Sequence, residues 1–425
     1  MNMTGEVRKI LYLCADTGIP LLGTKGASVH IREVVSALQT NGFEVAVAAR
    51  TGDGVPPWDW SAETAELPDV ENDTFVTMLN EVAGNETARA ELLDFYRNEA
   101  VDRLLSSLFQ EEEFHYIYER YSLFSVAGLR FARRQSLPFI LEVNSPLMAE
   151  AARYRRLSLE DTARDIERFL FNGADHIVAV SEELKDYVSE VSPHTPITVV
   201  PNAVRVEHFQ SSNEAQESEA LPLETDDSGL VVGFAGSLKP WHGVEILIET
   251  FADSPEISKD GRLLIIGGKK QEVRRLKKIC REKSLKDRVV FTGAVPYDKM
   301  PALLRKTDVL VAPYPDLPDF YFSALKIFEY MAAGKAIVAS AIGQIRSVLA
   351  HEKTALLIRP GNKDDLREAL IRIKREPGLR KRLGENALAE VSSKHTWEQR
   401  AEMISDILKN VENKSKIRSG AGYAD

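Results

Sequence analysis

The sequence predicts an α/β protein made of two doubly wound domains with parallel sheets. Three observations support this prediction. The chain has 425 residues, which is more than one ordinary hydrophobic core holds. Short apolar runs alternate with amphipathic helical stretches, and the alternation begins afresh in the second half. Between the halves, residues 210–229 are polar, acidic and poor in large apolar side chains, which is typical of a linker or surface loop.

Composition narrows the class of protein. Hydrophobic residues make up 44% of the chain and charged residues 28%, as in soluble globular proteins. The net charge of −10 argues against a general nucleic-acid-binding protein, which needs a basic surface. Cys14 and Cys280 lie far apart without metal-ligand spacing, which fits a reducing compartment. Neither a signal peptide nor an apolar run of about 18 residues is visible, so we expect a cytoplasmic protein without a transmembrane segment.

The first domain is predicted from a strand–helix–strand unit. Apolar runs at 10–13 and 45–49 predict two buried strands, and apolar residues spaced along 31–38 predict the helix between them. A glycine-rich loop enters this helix, as in parallel nucleotide-binding sheets. Further strands are expected at 115–118, 138–143, 176–180 and 197–200, with helices between them.

The second domain repeats this plan. Strands are expected at 230–234, 262–266, 289–291, 309–312 and 336–339, and helices near 363–375, 378–392 and 397–410. We therefore expect a first domain at 1–209, a linker at 210–229, a second domain at 230–396, a helix at 397–412 and a polar, disordered tail at 413–425.

The stretch 321–340 places charges in an apolar helix. Ser323 is the expected N-cap, which puts Lys326 at about the third helical position. A cation there opposes the helix dipole by roughly 0.3–1 kcal/mol, unless an anion such as phosphate binds at the helix start. Glu329 lies on the same side of the helix and could accept hydrogen bonds from sugar hydroxyls. The alternative is an exposed ion pair between Lys326 and Glu329, and this stretch alone leaves both open.

Two other loops after predicted strands have the chemistry of a nucleotide site. One carries Gly26 at a helix start, where small residues let a ligand approach the backbone. The other, 293–297, contains Val295 and has backbone groups that could pair with a base edge. Each is also explained as an ordinary strand-to-helix turn.

A further loop, 233–243, follows the first strand of the second domain. Gly236 and Ser237 could present hydrogen-bond donors there, while Lys239 and His242 add positive character. The alternative is a surface loop with solvated side chains. Because ligands bind at the carboxyl ends of parallel strands, one nucleotide site accounts for all these loops more economically than independent coincidence.

These segments resemble the retaining glycosyltransferases of family 4, which have the GT-B fold. The resemblance covers most of the chain and is most specific at the last of these segments: the Gly-Ala-Ser loop at 26–28, 175–185, 199–204, 236–243, 289–295 and 323–334.

The resemblance implies two Rossmann-like domains whose parallel sheets face an inter-domain cleft, with the helix at 397–412 packing back onto the first domain. It implies that Glu329 contacts the ribose of a nucleotide-sugar donor, and that backbone N–H groups near Ser323 contact the diphosphate and donor sugar. The donor-binding residues expected are Gly26, Gly236, Ser237, Val295, Ser323, Ala324, Leu325 and Glu329.

Some positions depart from the family pattern. Tyr321 stands where the family often has a second glutamate that contacts the donor sugar. Ser237 and His242 replace the usual arginine and lysine of the diphosphate loop. Lys239 and Lys326 are the candidates to supply the missing positive charge.

The expected reaction moves a glycosyl group from a nucleoside diphosphate sugar, most often a UDP sugar in this family, to an acceptor hydroxyl with retention. Lys239, His242 and Lys326 are the expected catalytic residues, because they would stabilise charge on the departing diphosphate. A histidine such as His242 could also carry a proton near neutral pH. No Asp-X-Asp pair occurs, so we expect neither a metal nor a cofactor.

The first domain is expected to bind the acceptor, which is a small molecule, a glycan or a lipid-linked compound. Glu119, Arg120 and Asn144 lie at or just after predicted strand ends and are candidate lining residues; Asn144 stands where many family members have a histidine. A structural ion pair and a turn asparagine are the alternatives. The basic run at 152–157 could contact an anionic acceptor or a membrane surface, although a solvated helix face also explains it.

Two rival classes remain open from the sequence. A nicotinamide-dependent oxidoreductase would share the plan, but no Gly-X-Gly-X-X-Gly opens a helix. A non-catalytic nucleotide-sugar sensor or scaffold is favoured by Tyr321 and Ser237, which replace functional groups of the family.

Overall fold

The computed structural model describes residues 7–54, 60–82, 84–154, 157–210 and 229–420. The chain forms two compact units, Met1–Pro201 with Glu398–Asp425, and Asn202–Trp397. Residues 211–228 of the predicted linker lie outside the described residues, as do 155–156 of the basic run and 421–425 at the C-terminus.

The first unit contains a seven-stranded parallel sheet with the order β3-β2-β1-β4-β5-β6-β7. Its elements are β1 Lys9–Cys14, α1 Gly26–Thr40, β2 Glu44–Ala49, β3 Glu63–Glu66, α2 Thr74–Val82, α3 Glu86–Glu111, β4 Tyr116–Arg120, α4 Ala127–Gln135, β5 Phe139–Val143, α5 Leu147–Tyr154, α6 Glu160–Gly173, β6 His176–Ala179, α7 Glu182–Val191, β7 Ile197–Val199 and the C-terminal α17 Trp397–Gly420.

The second unit contains a six-stranded parallel sheet with the order β10-β9-β8-β11-β12-β13. Its elements are α8 Val206–Gln210, β8 Val231–Ala235, α9 Val244–Ala252, α10 Pro255–Ser258, β9 Arg262–Ile266, α11 Lys270–Glu282, β10 Val289–Gly293, α12 Met300–Arg305, β11 Val309–Ala312, α13 Leu325–Ala332, β12 Ala336–Ser340, α14 Ile345–Val348, β13 Leu356–Ile358, α15 Lys363–Arg375 and α16 Pro377–Lys394.

The central strands of both sheets are continuous apolar runs because helices cover both faces of a parallel sheet. All residues of β5, β8, β11 and β12 are buried. The edge strands β3 and β13 were not predicted from the sequence. β3 reads Glu-Thr-Ala-Glu and has no apolar run to signal it, while β13 has only three residues.

Each sheet has one point where the strand order reverses. In the first sheet the chain builds outward through β2 and β3 and then returns to place β4 beside β1. In the second sheet the corresponding neighbours are β8 and β11. Open α/β sheets bind ligands outside the carboxyl ends of the strands at this switch point.

The structure shifts one predicted boundary. The first unit's N-terminal segment ends at Pro201 rather than at residue 209. Residues from Asn202 onward belong to the second unit because Val206 and Phe209 are buried in its core with Ile327. Gln210 Nε2 also donates to Ala332 O at 2.6 Å.

The C-terminal helix differs from the expected tail. α17 continues to Gly420 instead of ending near residue 412, since no proline interrupts it before that glycine. From Glu398 onward it belongs to the first unit, where Glu412 accepts hydrogen bonds from Arg8 at 2.9 Å and from the Tyr116 hydroxyl at 2.5 Å.

Candidate functional site

The start of α13 is built differently from the sequence prediction. Ala324 is the N-cap, without a side-chain capping bond, and Lys326 is the second residue of the helix rather than the third. Ser323 is not the N-cap because its side chain has another role. Asn202 N–H donates to Ser323 Oγ at 2.9 Å, and Asn202 Nδ2 donates to Ser323 O at 2.5 Å.

The Lys326 ammonium is buried at the switch point of the second sheet. Its Nζ lies 4.2 Å from the Phe234 ring centroid and 5.5 Å from that of Tyr314, and a Cβ on Gly236 would lie 2.7 Å from it. Among the described residues it has no hydrogen-bond partner, although the residue is only 9% exposed. Burial lowers the pKa of Lys326 to about 7, against the opposing charge of Glu329. The alternative of an exposed ion pair is wrong, because Glu329 is also buried.

His242 is a neutral hydrogen-bonding group, not a cation. Its Nδ1 lies 2.5 Å from Ser237 O and must carry the proton, because a carbonyl oxygen can only accept. Burial, with the Lys326 charge as the next cause, lowers the pKa of His242 to about 3. The suggestion that His242 carries a proton near neutral pH is therefore wrong. Nε2 is left with a lone pair that can accept a hydrogen bond.

Lys239 is partly exposed and its charge is compensated inside the protein. Its Nζ lies 3.0 Å from Glu272 Oε1. Glu272 also accepts the Lys269 N–H at 2.8 Å, which caps the start of α11. Lys239 thus differs from Lys326, which has no such partner.

The loops around Lys326 approach one another closely. The Gly236 N–H donates to Ile266 O at 3.0 Å, so it is not available to a ligand as the sequence suggested. Gly267 has a φ of 106°, and a Cβ there would overlap the carbonyl of Gly236. The sequence reasoning missed Gly267 and its neighbour Gly268; a Gly-Gly pair directly after a buried strand was the available signal.

Further anchors that the sequence reasoning missed hold α13 in place. The buried Tyr330 hydroxyl accepts from Ala235 N–H at 2.7 Å, which fixes the helix to the end of β8. Asn202 and Gln210 hold its two ends through Ser323 and Ala332.

The remaining predicted donor residues occupy three places. Leu325 is the first residue of α13 after Ala324. The N–H groups of Leu325 and Lys326 lie where a helix offers no acceptor, whereas the Ile327 N–H already donates to Ala324 O at 2.9 Å. Val295 is partly buried in the turn after β10 and packs against the core. Gly26 begins α1 in the first unit.

The three candidate acceptor residues do not lie together. Glu119 points toward α4, where the Ser125 hydroxyl donates to its Oε1 at 2.9 Å and a Cβ on Gly128 would overlap its Oε2. Burial raises the pKa of Glu119 to about 7. Arg120 instead forms a structural ion pair with Glu142, with NH1 3.5 Å from Oε2, and Asn144 Nδ2 lies 3.5 Å from His30 Nε2.

Over the parts of the chain that the structure describes, no group of three or more His, Cys, Asp or Glu side chains is placed to hold a metal ion. In the same residues, no helix has both the length and the apolar character needed to cross a bilayer.

Comparisons with known proteins identify similar sequences. Residues 24–208 match the family model Glycosyltransferase Family 4, and residues 216–390 match Glycosyl transferases group 1. An uncharacterized glycosyltransferase of Methanocaldococcus jannaschii is 24% identical over 291 residues, which is 68% of this chain and 72% of the relative. The D-inositol 3-phosphate glycosyltransferase of Acidothermus cellulolyticus is 24% identical over 413 residues, or 93% of this chain and 86% of the relative.

Solved structures show a similar fold. Sucrose-phosphate synthase from Thermosynechococcus elongatus has a TM-score of 0.73 at 20% identity, over 96% of this chain and all (100%) of that one. The Anabaena protein HepE, solved in complex with UDP and glucose, has a TM-score of 0.69 at 18% identity, over 95% and 99% of the two chains. The two parallel-sheet, Rossmann-like domains are therefore of the GT-B class.

Proposed function

This chain belongs to the glycosyltransferases of family 4 and group 1, and from that premise we propose that it transfers a glycosyl group from a nucleoside diphosphate sugar to an acceptor hydroxyl with retention of configuration. UDP is the nucleotide we expect. The observation that carries the proposal is the buried Lys326 ammonium at the start of α13, for which the described part of the chain offers no hydrogen-bond acceptor.

An anion at this place would remove an unfavourable feature of the free protein. A buried ammonium without a partner is costly, and a charged group in that position shifts its pKa instead. The N–H groups of Leu325 and Lys326 at the start of α13 would donate to phosphate oxygens, and the helix dipole favours negative charge there. A diphosphate would supply Lys326 with its counter-charge.

The same contacts would assist the reaction. The bond between the anomeric carbon and the diphosphate oxygen breaks, and its electron pair passes to that oxygen. The acceptor oxygen bonds to the anomeric carbon from the same face, and its proton goes to the departing phosphate oxygen. Lys326 would stabilise the charge that develops on the diphosphate, which is the largest kind of contribution a site can make.

Two other residues receive roles from their positions. Glu329 lies one turn after Lys326 on α13 and would accept hydrogen bonds from the ribose. His242 would accept a hydrogen bond at Nε2, for example from a hydroxyl of the donor sugar, because its Nδ1 proton is directed at Ser237 O. The turn that carries Val295 would contact the base.

The proposal also assigns a binding unit to the acceptor and a location to the protein. The first unit would bind the acceptor. No metal or cofactor is proposed beyond the nucleotide sugar, and the protein is proposed to act in the cytoplasm, with peripheral membrane contact open for a lipid-linked acceptor.

A thermal-shift screen with UDP, GDP, ADP and dTDP tests the proposal. A nucleotide at about 100 times its Kd stabilises the native state by roughly 2.7 kcal/mol, so one of the four should raise the melting temperature clearly. Glu329→Gln should weaken binding of that nucleotide. If none of the four stabilises the protein, the proposal is wrong.

A non-catalytic sensor is the second candidate, favoured by Tyr321 in place of a glutamate. The sensor would bind the nucleotide sugar as tightly as the enzyme does. Donor hydrolysis or transfer with purified protein separates the two, because a sensor releases no nucleoside diphosphate.

A further inference from the structure

The second unit has a basic surface that the proposed donor site does not include. Residues 269–288 contain ten lysine or arginine residues and three acidic residues, although the whole chain has 54 basic and 64 acidic residues. This segment covers α11 and the turn that leads to β10, an edge strand of the second sheet. Positive charge is therefore concentrated in one element of an acidic protein.

The cations of α11 form a row along one face of the helix. Lys270, Arg274, Lys278 and Arg281 are spaced by four, four and three residues, and this spacing places side chains on the same side of a helix. All four residues are exposed. A rise of about 1.5 Å per residue makes the row roughly 16 Å long. We call these four residues the basic row.

The opposite face of α11 is used for packing inside the second unit. Leu276 and Cys280 are buried in the hydrophobic core, and Val273 and Ile279 pack against it. A helix that lies in a bilayer inserts an apolar face, and α11 has none to spare. A partner of this helix is therefore bound through the charges of the basic row.

Two cations beside the basic row have counter-charges within the protein. Arg275 forms an ion pair with Glu245 in the first turn of α9, and Lys283 Nζ lies 3.1 Å from Oδ1 of Asp253, the residue that caps the end of α9. These pairs attach one flank of α11 to α9. They give Arg275 and Lys283 a structural role that the basic row does not share.

The basic row itself is only weakly compensated. Lys278 Nζ lies 3.9 Å from Glu282 Oε1, but both side chains are more than half exposed, and exposed pairs of this kind contribute little. Lys270 and Arg274 form no ion pair with any residue that the structure describes. An external anionic surface would therefore meet cations that the protein has left available.

The character of this face favours a lipid surface over a protein or a nucleic acid. Protein interfaces have a core of aromatic and apolar side chains, and single-stranded nucleic acids stack on aromatic ones. In the described segment 269–288, no large apolar side chain is exposed. An anionic bilayer needs no such anchor, because its head groups present a continuous negative surface to lysine and arginine.

We propose that the basic row of α11 docks the second unit on the surface of an anionic phospholipid bilayer. Each lysine or arginine near such a surface adds about a factor of five to the affinity, and clusters of about four to eight are typical of this binding. α11 begins two residues after Gly268, in one of the loops around Lys326, so docking would bring the proposed donor site close to the lipid. The inference deepens the proposed function, and it rests on that proposal for the lipid-linked acceptor.

Sedimentation with lipid vesicles tests the proposal on the full chain. The protein should bind vesicles of phosphatidylcholine with about 30% phosphatidylglycerol, but not vesicles of phosphatidylcholine alone. About 1 M salt should release it, because the screening length then falls to about 3 Å. The double variant Arg274→Gln with Lys278→Gln should bind the anionic vesicles at least about tenfold more weakly.

The matched control is Lys381→Gln with Arg382→Gln in α16. It removes one lysine and one arginine from another exposed helix, so the net charge changes equally. Lys381 Nζ also lies 3.7 Å from Glu385 Oε1, in an exposed pair like that of Lys278. The control should bind the anionic vesicles as the parent does. Equal losses in the two variants would show that net charge decides, which would overturn the assignment to α11.

Three further results would overturn the proposal. They are equal binding to both kinds of vesicle, undiminished binding by the α11 variant, and binding of single-stranded RNA through α11 without binding to vesicles. Vesicle binding requires no nucleotide, so its failure would leave the proposed reaction intact. UDP binding is measured separately, and both variants should bind UDP as the parent does. Failure of the parent to bind UDP would contradict the proposed function without touching the vesicle result.

Discussion

The switch points of the two sheets bury opposite charges and compensate them differently. In the first sheet, the Glu142 carboxylate is surrounded by two tyrosine hydroxyls, a histidine and an arginine, and its pKa falls to about 2. In the second sheet, the Lys326 ammonium faces aromatic rings and a glycine, and its pKa falls to about 7. Both pKa shifts are downward. The shift of Glu142 favours its charged carboxylate, whereas the shift of Lys326 disfavours its charged ammonium.

This difference separates a buried charge that the protein compensates from one that it leaves largely uncompensated. The protein supplies counter-charges to Glu142 from its own side chains, His30 and Arg120. Against the burial of Lys326, the residues that the structure describes supply the charge of Glu329 and no hydrogen bond to Nζ. The second switch point is therefore where an anionic ligand gains most.

The largest expected effect is the loss of stability when the buried charge of Glu142 is removed. Glu142→Gln leaves Arg120 buried without its counter-charge, and breaking a buried pair in this way costs roughly 3–5 kcal/mol. Urea denaturation measures the loss of unfolding free energy. A loss below about 1 kcal/mol would show that Arg120 does not depend on the Glu142 carboxylate as its counter-charge.

Lys326→Met should raise the free energy of unfolding at neutral pH, whereas Glu142→Gln lowers it. The folded pKa of Lys326 lies below its unfolded value, so the unfolded state binds more protons between about pH 7 and about pH 10.5, and the parent protein gains stability as the pH rises through that range. The variant lacks this dependence and should be more stable at neutral pH, by a margin that shrinks by about 2 kcal/mol from about pH 7 to about pH 9. Denaturation at both pH values checks it. A less stable variant at pH 7 would mean that Lys326 is already paired.

Glu119 is a third buried ionisable group, and in the residues that the structure describes the Ser125 hydroxyl, not a cation, is its hydrogen-bond partner. Its folded pKa of about 7 exceeds the model-compound value of 4.5, so the native state binds more protons and stability falls as the pH rises between those values. Glu119→Gln should remove about 2 kcal/mol of this fall between about pH 5 and about pH 6.5. Parallel pH profiles of variant and parent would contradict the assignment.

The smallest expected effects concern the anchors of α13. Asn202→Ala removes the hydrogen bond to Ser323 O and should cost about 1 kcal/mol of stability, while also weakening nucleotide binding because it frees the start of the helix. Gln210→Ala removes the bond to Ala332 O at the other end and is the matched control. It should cost similar stability without changing nucleotide affinity. Equal nucleotide affinities in the two variants would remove Asn202 from the site.

Most of the fold followed from local patterns. Buried strands such as β8 and β12 are continuous apolar runs and were predicted close to their observed bounds. The edge strand β3 was missed because an edge needs no apolar run, and it reads Glu-Thr-Ala-Glu. The family and its GT-B fold were also predicted from the motifs and are confirmed.

The site was less accessible to sequence reasoning, because protonation depends on distant residues. Lys326 and His242 were singled out from the sequence, but Phe234 in β8 and Tyr314 just after β11 lie next to Lys326 only in the fold, and no local window shows this burial or its effect on the Lys326 pKa. The lowered pKa of His242 was missed in the same way, because its burial and the nearby Lys326 charge come from the fold. Glu142 could have been found, since a lone glutamate inside the buried run of β5 is a signal in its own right.

Calorimetric titration of UDP tests the central claim most directly. At about pH 8, in two buffers of different ionisation enthalpy, the parent protein should bind UDP with uptake of protons, because the diphosphate raises the pKa of Lys326 above the solution pH. Lys326→Met should bind UDP more weakly and without that uptake. UDP binding with equal affinity in both proteins and no proton uptake in either would contradict the assignment of Lys326 as the counter-charge of the diphosphate.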